Sequence, residues 1–143
     1  MRLKKIIIYS LVFFLISSLV SLPAAAAVKF SNLLTTEGLN QAGFPATYKH
    51  KFSLSQDQGV QYYAEWIADE QSHNVTIKWF DAQGKLISQL VLTNFSQHIV
   101  RDYISFSQQS KTQFFIPQQL GWYEIYLYID SQLRAVTKFK VIK

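Results

Sequence analysis

Apolar and polar residues alternate with a period of two in short runs along this chain, and turn residues separate the runs. The segments Val60–Ala68 and Val75–Trp79 show the pattern clearly. Because successive side chains of a β-strand point to opposite faces, this alternation predicts strands with one buried face. No convincing helical repeat accompanies it. The sequence therefore predicts an all-β protein.

Seven or eight strands are expected in the 116 residues from Val28 to Lys143. The clearest runs are Tyr48–Leu54, Val60–Ala68, Val75–Trp79, Lys85–Leu92, Val100–Phe106, Trp122–Ile129 and Leu133–Val141, with weaker ones near Val28 and Phe30 and at Thr112–Ile116. We expect Glu37–Thr47 to be a loop, with a short helix at Glu37–Ala42 as an alternative. About seven short alternating strands with regular turns are typical of an immunoglobulin-like antiparallel β-sandwich.

The chain contains no cysteine. Disulfides are therefore excluded, and so is the lipid anchor of a bacterial lipoprotein, which needs a cysteine as its first mature residue. Small exported domains are often stabilised by disulfides. We expect this domain to depend on hydrophobic packing and sheet hydrogen bonds alone, and the missing cysteines exclude an antibody-type domain.

Residues 1–27 have the features of a removable signal peptide. Three basic residues within the first five precede an apolar stretch from Ile6 to Leu22, and Pro23 ends it. The alternative is an uncleaved membrane anchor, because the apolar stretch is near the lower limit for spanning about 30 Å of hydrocarbon. The alanines that follow favour cleavage.

Ala25 and Ala27 provide the two small residues that a signal peptidase requires. We expect cleavage after Ala27, with cleavage after Ala26 as the second choice. The chain then divides into a signal peptide, residues 1–27, and one β-sandwich domain, residues 28–143. The mature protein is expected to be exported, either periplasmic or secreted, with no stable membrane anchor.

The charge balance argues against nucleic-acid binding. The whole chain has 14 Lys and Arg residues against 9 Asp and Glu residues, but three of the basic residues belong to the leader. The mature chain therefore has 11 against 9, a net charge of only +2. Nucleic-acid binding proteins need Lys and Arg clustered along one face. We expect no nucleic-acid partner.

No motif for catalysis or metal binding is present. His50, His73 and His98 lie at no spacing typical of zinc ligands, and the chain has neither a serine-nucleophile elbow nor a phosphate loop. Four carboxylates fall at or near predicted strand ends: Asp57, Asp69, Glu70 and Asp81. There they would suit a calcium ion or the catalytic groups of a small hydrolase, but we interpret them as isolated turn residues. We expect no enzymatic activity, no cofactor and no metal.

The segment Gly121-Trp122-Tyr123-Glu124-Ile125-Tyr126-Leu127-Tyr128-Ile129-Asp130, followed by Phe139-Lys140-Val141, resembles the closing hairpin of exported bacterial immunoglobulin-like modules. Trp79-Phe80-Asp81 with Gly84 resembles their middle hairpin. The resemblance covers about half of the mature chain and implies a shared fold without a shared activity. One departure is Ser131, which stands where those modules commonly have glycine.

The closing hairpin also carries the candidate binding residues. In its first arm, residues 123, 125, 127 and 129 are expected to face the core, and in its second arm Leu133, Ala135, Phe139 and Val141. Trp122, Tyr126 and Tyr128 then face outward, and Tyr63 is a candidate extension of this aromatic stripe. The alternative is that the segment Val28–Thr47 or another strand covers these rings.

Exposed aromatic side chains suit partner binding, because they offer large contact area at little entropic cost. We therefore expect a protein-interaction module of the bacterial envelope that binds an envelope protein. Two alternatives stay open. The same rings would suit a glycan-binding module, and the loop carboxylates would suit a small hydrolase.

Overall fold

The computed structural model describes residues 28–106 and 119–143, and none of these residues is helical. No helix in these two stretches is long and apolar enough to cross a membrane. The described residues form eight strands: β1 Phe30–Thr36, β2 Lys51–Ser53, β3 Gly59–Trp66, β4 His73–Phe80, β5 Leu86–Phe95, β6 Ile99–Ser105, β7 Gly121–Ile129 and β8 Gln132–Ile142. The expected signal peptide and the expected strand Thr112–Ile116 lie outside the described residues.

The strands form two sheets. One has three strands in the order β1-β3-β6, and the other has five in the order β2-β8-β7-β4-β5. Neighbouring strands are antiparallel, except that β2 runs parallel to β8. The predicted all-β sandwich of seven to eight strands is confirmed.

Aromatic side chains connect the two sheets across the core. The ring of Trp79 in the five-stranded sheet lies 5.6 Å from the ring of Tyr62 in the three-stranded sheet, and Trp66 lies 6.1 Å from Phe95 in the same way. Trp79 also contacts Phe139 edge-on at 5.6 Å. Aromatic pairs with ring centres about 4.5–7 Å apart are favourable beyond the area they bury. They hold together a sandwich that has no disulfide.

Two predicted elements differ in the structure. The predicted strand Tyr48–Leu54 shortens to β2, because the chain changes sheets here: the amide of Lys49 donates to β1, whereas the carbonyl of His50 accepts from β8. The alternative of a short helix at Glu37–Ala42 is wrong. The side-chain oxygen of Asn40 instead accepts hydrogen bonds from two later amides, which fixes a non-helical turn.

The prediction that Leu133 faces the core is also wrong, since its side chain is 51% exposed. The pairing between β7 and β8 shifts next to this residue: Leu127 pairs with Ala135, but Tyr128 pairs with Leu133, which leaves one extra residue in β8. Such a bulge changes the alternation by one position. Leu133 therefore lies on the outer face, opposite Tyr128.

Candidate functional site

Aromatic and aliphatic side chains lie together on the outer face of the five-stranded sheet, on its three interior strands β4, β7 and β8. We call this surface the aromatic face and define it by Phe80, Trp122, Tyr126, Tyr128, Leu133 and Val136. β7 alternates strictly between buried and less buried residues, so its inward side chains lie in the core and its outward side chains form the centre of this surface.

The apolar members of the aromatic face are accessible to a partner. Trp122 is 48% exposed and Val136 is 41% exposed. Val91 and Leu86 on β5, paired with outward residues of β4, extend the apolar area to the edge of the sheet. Contiguous exposed apolar surface of this kind marks interaction sites in soluble proteins.

Polar contacts fix the centre of the surface. The hydroxyl of Tyr126 donates to Oε2 of Glu124 at 2.7 Å, and the ammonium of Lys138 lies 2.5 Å from Oε1 of the same carboxylate. The ring of Phe80 contacts Tyr126 at a centroid distance of 4.9 Å. Lys138, and next Tyr126, lower the pKa of Glu124, whereas the hydrogen bond to Glu124 raises the pKa of Tyr126. Tyr126 is therefore held in one orientation by its neighbours.

Two lysines lie over aromatic rings of the same surface. The ammonium nitrogen of Lys78 lies 5.0 Å from the ring centre of Tyr128, and that of Lys140 lies 5.9 Å from the ring centre of Trp122. Both distances suit an attraction between the cation and the π-system. The surface therefore combines aromatic area with positive charge.

Tyr63 does not extend this surface. It belongs to β3 in the other sheet and is only 2% exposed. The segment between β1 and β2 covers it: Phe44 contacts its ring at 6.4 Å, and Arg101 holds this segment in place by donating to the carbonyl of Gly43 at 2.8 Å. The alternative of a covering N-terminal segment thus holds for Tyr63, whereas Trp122 is half exposed and Tyr126 and Tyr128 are partly exposed.

Three of the four candidate carboxylates, Asp57, Asp69 and Asp81, make local contacts, and the fourth, Glu70, is exposed. Asp57 and Glu37 both pair with Lys49, Asp81 accepts hydrogen bonds within its own hairpin turn, and Asp69 contacts His73. Among residues 28–106 and 119–143, no group of three or more His, Asp or Glu side chains is placed to hold a metal ion.

Sequence reasoning missed Phe80, Leu133 and Val136 as members of the aromatic face. Alternation along β4 and β8 indicates which way a residue points, but the grouping depends on which strands are neighbours. Phe80 pairs with Glu124 and Val136 pairs with Tyr126 across two different strand pairs. The order of the strands in the sheet was the missing information.

No family model and no curated protein matches the chain. Among solved structures, an immunoglobulin-like protein from Pseudomonas aeruginosa is similar in fold, with a TM-score of 0.52, 10% identity, and coverage of 83% of this chain and 99% of that one. The protein therefore has an immunoglobulin-like fold, as the hairpin resemblance implied, and the similarity is at the level of the fold class.

Two further structures are more distant. A Pseudomonas fluorescens alkylpurine DNA glycosylase, AlkC, has a TM-score of 0.48 at 12% identity, over 88% of this chain and 33% of that one. A CARDB domain from Pyrococcus furiosus, solved with two metal ions, has a TM-score of 0.39 at 9% identity, over 80% of this chain and 91% of that one.

Proposed function

We propose that this protein is an exported, non-enzymatic β-sandwich that acts as a protein-interaction module in the bacterial envelope. Its contact surface is the aromatic face. Export rests on the leader pattern of residues 1–27, with cleavage after Ala27 and a periplasmic or secreted mature protein. The proposed absence of catalysis rests on the contacts of Asp57, Asp69 and Asp81, which pair with Lys49, pair with His73 and accept hydrogen bonds within a hairpin turn, respectively.

One observation carries the proposal: aliphatic side chains adjoin the aromatic ones on the same open sheet face. Val136 on β8 pairs with Tyr126, and Leu133 pairs with Tyr128, and both aliphatic side chains are about as exposed as Trp122. A protein partner would cover rings and aliphatic groups together, which is how the centres of protein interfaces are composed. This arrangement favours a protein over a glycan.

A glycan partner is the second candidate, and the pairing of lysines with rings favours it. Sugar rings stack on aromatic side chains, and the ammonium groups of Lys78 and Lys140 beside the rings of Tyr128 and Trp122 would contact hydroxyl or acidic groups. Such binding would be saturable with a purified polysaccharide and would be lost in Trp122→Ala.

The test is crosslinking in cells of an affinity-tagged protein, followed by purification and mass spectrometry. The parent is compared with a Trp122→Ala, Val136→Ala double variant. We expect the parent to recover one envelope protein in a discrete crosslinked species and the double variant to lose it, because the centre of the interface is removed.

A second double variant serves as the matched control. Tyr48 and Ile67 are 67% and 56% exposed and lie outside the aromatic face. Tyr48→Ala with Ile67→Ala should retain the crosslinked species. Loss in the control with retention in the Trp122 and Val136 variant would contradict the proposal, and recovery by neither parent nor control would direct the search to glycans.

A further inference from the structure

We infer that the partner of the aromatic face is an acidic protein surface, one that presents carboxylates next to apolar side chains. This inference rests on the proposed function and specifies the chemistry of the partner. Its basis is the unequal distribution of charge between the two sheets.

The five-stranded sheet is strongly basic, whereas the mature chain as a whole is nearly balanced. Its strands contain a single carboxylate, Glu124, against five Lys and Arg residues, which are Lys51, Lys78, Arg134, Lys138 and Lys140. The strands of the other sheet contain Arg101 against Glu65 and Asp102. Positive charge is therefore concentrated on the sheet that carries the aromatic face.

Glu124 forms no ion pair with the remaining lysines, because its two carboxylate oxygens already contact Lys138 and the hydroxyl of Tyr126. In the part of the chain that the structure describes, no carboxylate lies within ion-pair distance of Lys78 or Lys140. Their ammonium groups instead lie over rings of the binding surface. A carboxylate from a partner would find both cations beside the rings that it covers.

The pairing of β2 with β8 brings two of these cations together. Lys51 and Lys140 are register partners, and their neighbours Phe52 and Val141 are buried, so both lysines lie on the outer side. Like charges at paired positions of a sheet are unfavourable. An acidic partner removes this repulsion on binding, which supplies a favourable contribution that a neutral partner lacks.

The apolar composition of the surface distinguishes an acidic protein from an acidic polysaccharide. Leu133 and Val136 are exposed on β8, where they pair with Tyr128 and Tyr126 of β7. A polysaccharide would leave these aliphatic groups without apolar partners, whereas a protein surface supplies such partners together with Asp and Glu.

The test is a titration of the purified, isotope-labelled protein with synthetic peptides, followed by amide chemical shifts. One peptide alternates Glu with Leu over ten residues, the matched peptide alternates Lys with Leu, and polygalacturonate is the glycan probe. We expect the Glu peptide to shift amides of β7 and β8 and the Lys peptide to leave them unchanged. Raising the salt from about 25 to about 250 mM should weaken the binding, because the lysines are at the surface.

Charge variants complete the experiment. Lys78→Gln with Lys140→Gln removes two positive charges from the surface and should weaken binding of the Glu peptide at least about tenfold. Lys29→Gln with Lys85→Gln removes the same charge outside these five strands and should change the affinity less than about twofold.

The outcomes separate the two proposals. Equal shifts of β7 and β8 with both peptides would overturn the acidic partner and leave the interaction surface standing. Tighter binding of polygalacturonate at the same amides would overturn the protein partner in favour of an acidic glycan. No shift on β7 or β8 with any probe would overturn the inference, while in-cell crosslinking lost in the Trp122 and Val136 variant would still support the proposed function.

Discussion

The ammonium nitrogen of Lys78 lies 5.0 Å from the ring centre of Tyr128, and the two residues come from neighbouring strands on the exposed side of one sheet. Lys140 and Trp122 repeat this arrangement at the other end of β7. Between them, Tyr126 is bound to Glu124 and packed against Phe80. Charge and aromatic area are therefore ordered together on one surface, and that order is the basis of the proposed binding role.

The two tryptophans of the five-stranded sheet should differ in their contribution to stability. Trp79 is 3% exposed and contacts rings from both sheets, so Trp79→Ala should lower the free energy of unfolding by about 3–5 kcal/mol. Trp122→Ala should lower it by less than about 1 kcal/mol, because the side chain is half exposed. Urea denaturation measures both, and equal losses would contradict the assignment of Trp122 to binding.

Removal of the side-chain hydroxyl should affect the free energy of unfolding differently at Tyr123 and at Tyr62. The hydroxyl of Tyr123 donates to the carbonyl of Gln119 at 2.9 Å, whereas the buried hydroxyl of Tyr62 meets no hydrogen-bond partner among the described residues. Tyr123→Phe should therefore cost about 1 kcal/mol, and Tyr62→Phe should leave the free energy of unfolding unchanged or raise it. A loss in Tyr62→Phe as large as that in Tyr123→Phe would refute this expectation.

The hairpin turn between β7 and β8 should be open to stabilisation. Asp130 and Ser131 both have positive φ, at 51° and 65°, a conformation that costs a residue other than glycine about 1–2 kcal/mol. Ser131→Gly should raise the melting temperature, because it removes this cost while retaining Asp130. Ser131→Ala is the control and should not raise it, since alanine keeps the Cβ atom. An increase with alanine as large as that with glycine would point to another cause.

His73 should make the stability depend on pH. Its Nδ1 lies 2.7 Å from Asp130, and its Nε2 lies 3.0 Å from Asp69. Burial alone would lower the pKa of His73, but the hydrogen bonds to Asp130 and Asp69 outweigh burial and raise the pKa above its ordinary value of 6.5. The hydrogen bond from His73 lowers the pKa of Asp69. The folded protein therefore favours the protonated imidazole between ionised carboxylates.

The sign of the pH effect follows from these shifts. A raised histidine pKa stabilises the fold below about pH 6.5, and this contribution is lost as the pH rises through the pKa of the folded state. A lowered carboxylate pKa stabilises the fold above about pH 4 and is lost below it. The contribution of this cluster is thus largest between these values. The free energy of unfolding of the parent, measured by denaturation at a series of pH values, should decrease on the alkaline side of this range. In His73→Gln this decrease should be smaller. An equal decrease in the variant would contradict the role given to His73.

Alternation along a single strand was sufficient to predict which residues of β7 form the core. Tyr123, Ile125, Leu127 and Ile129 are buried as predicted, because β7 lies inside its sheet and alternates with a period of two. Leu133 was wrongly placed, since the bulge in β8 depends on pairing with β7 and not on its own sequence. Tyr63 is not part of the aromatic face for a related reason: β3 pairs into the other sheet, and there Phe44 contacts the ring of Tyr63.

The central claim is that the aromatic face contacts a partner in the cell, and site-specific photocrosslinking tests it most directly. A photoreactive phenylalanine analogue is placed at Val136, on the aromatic face, or at Ile67, which is 56% exposed outside this face. Irradiation of cells should yield a discrete higher-mass species from the Val136 position and none from the Ile67 position. A species from Ile67 and none from Val136 would contradict the account.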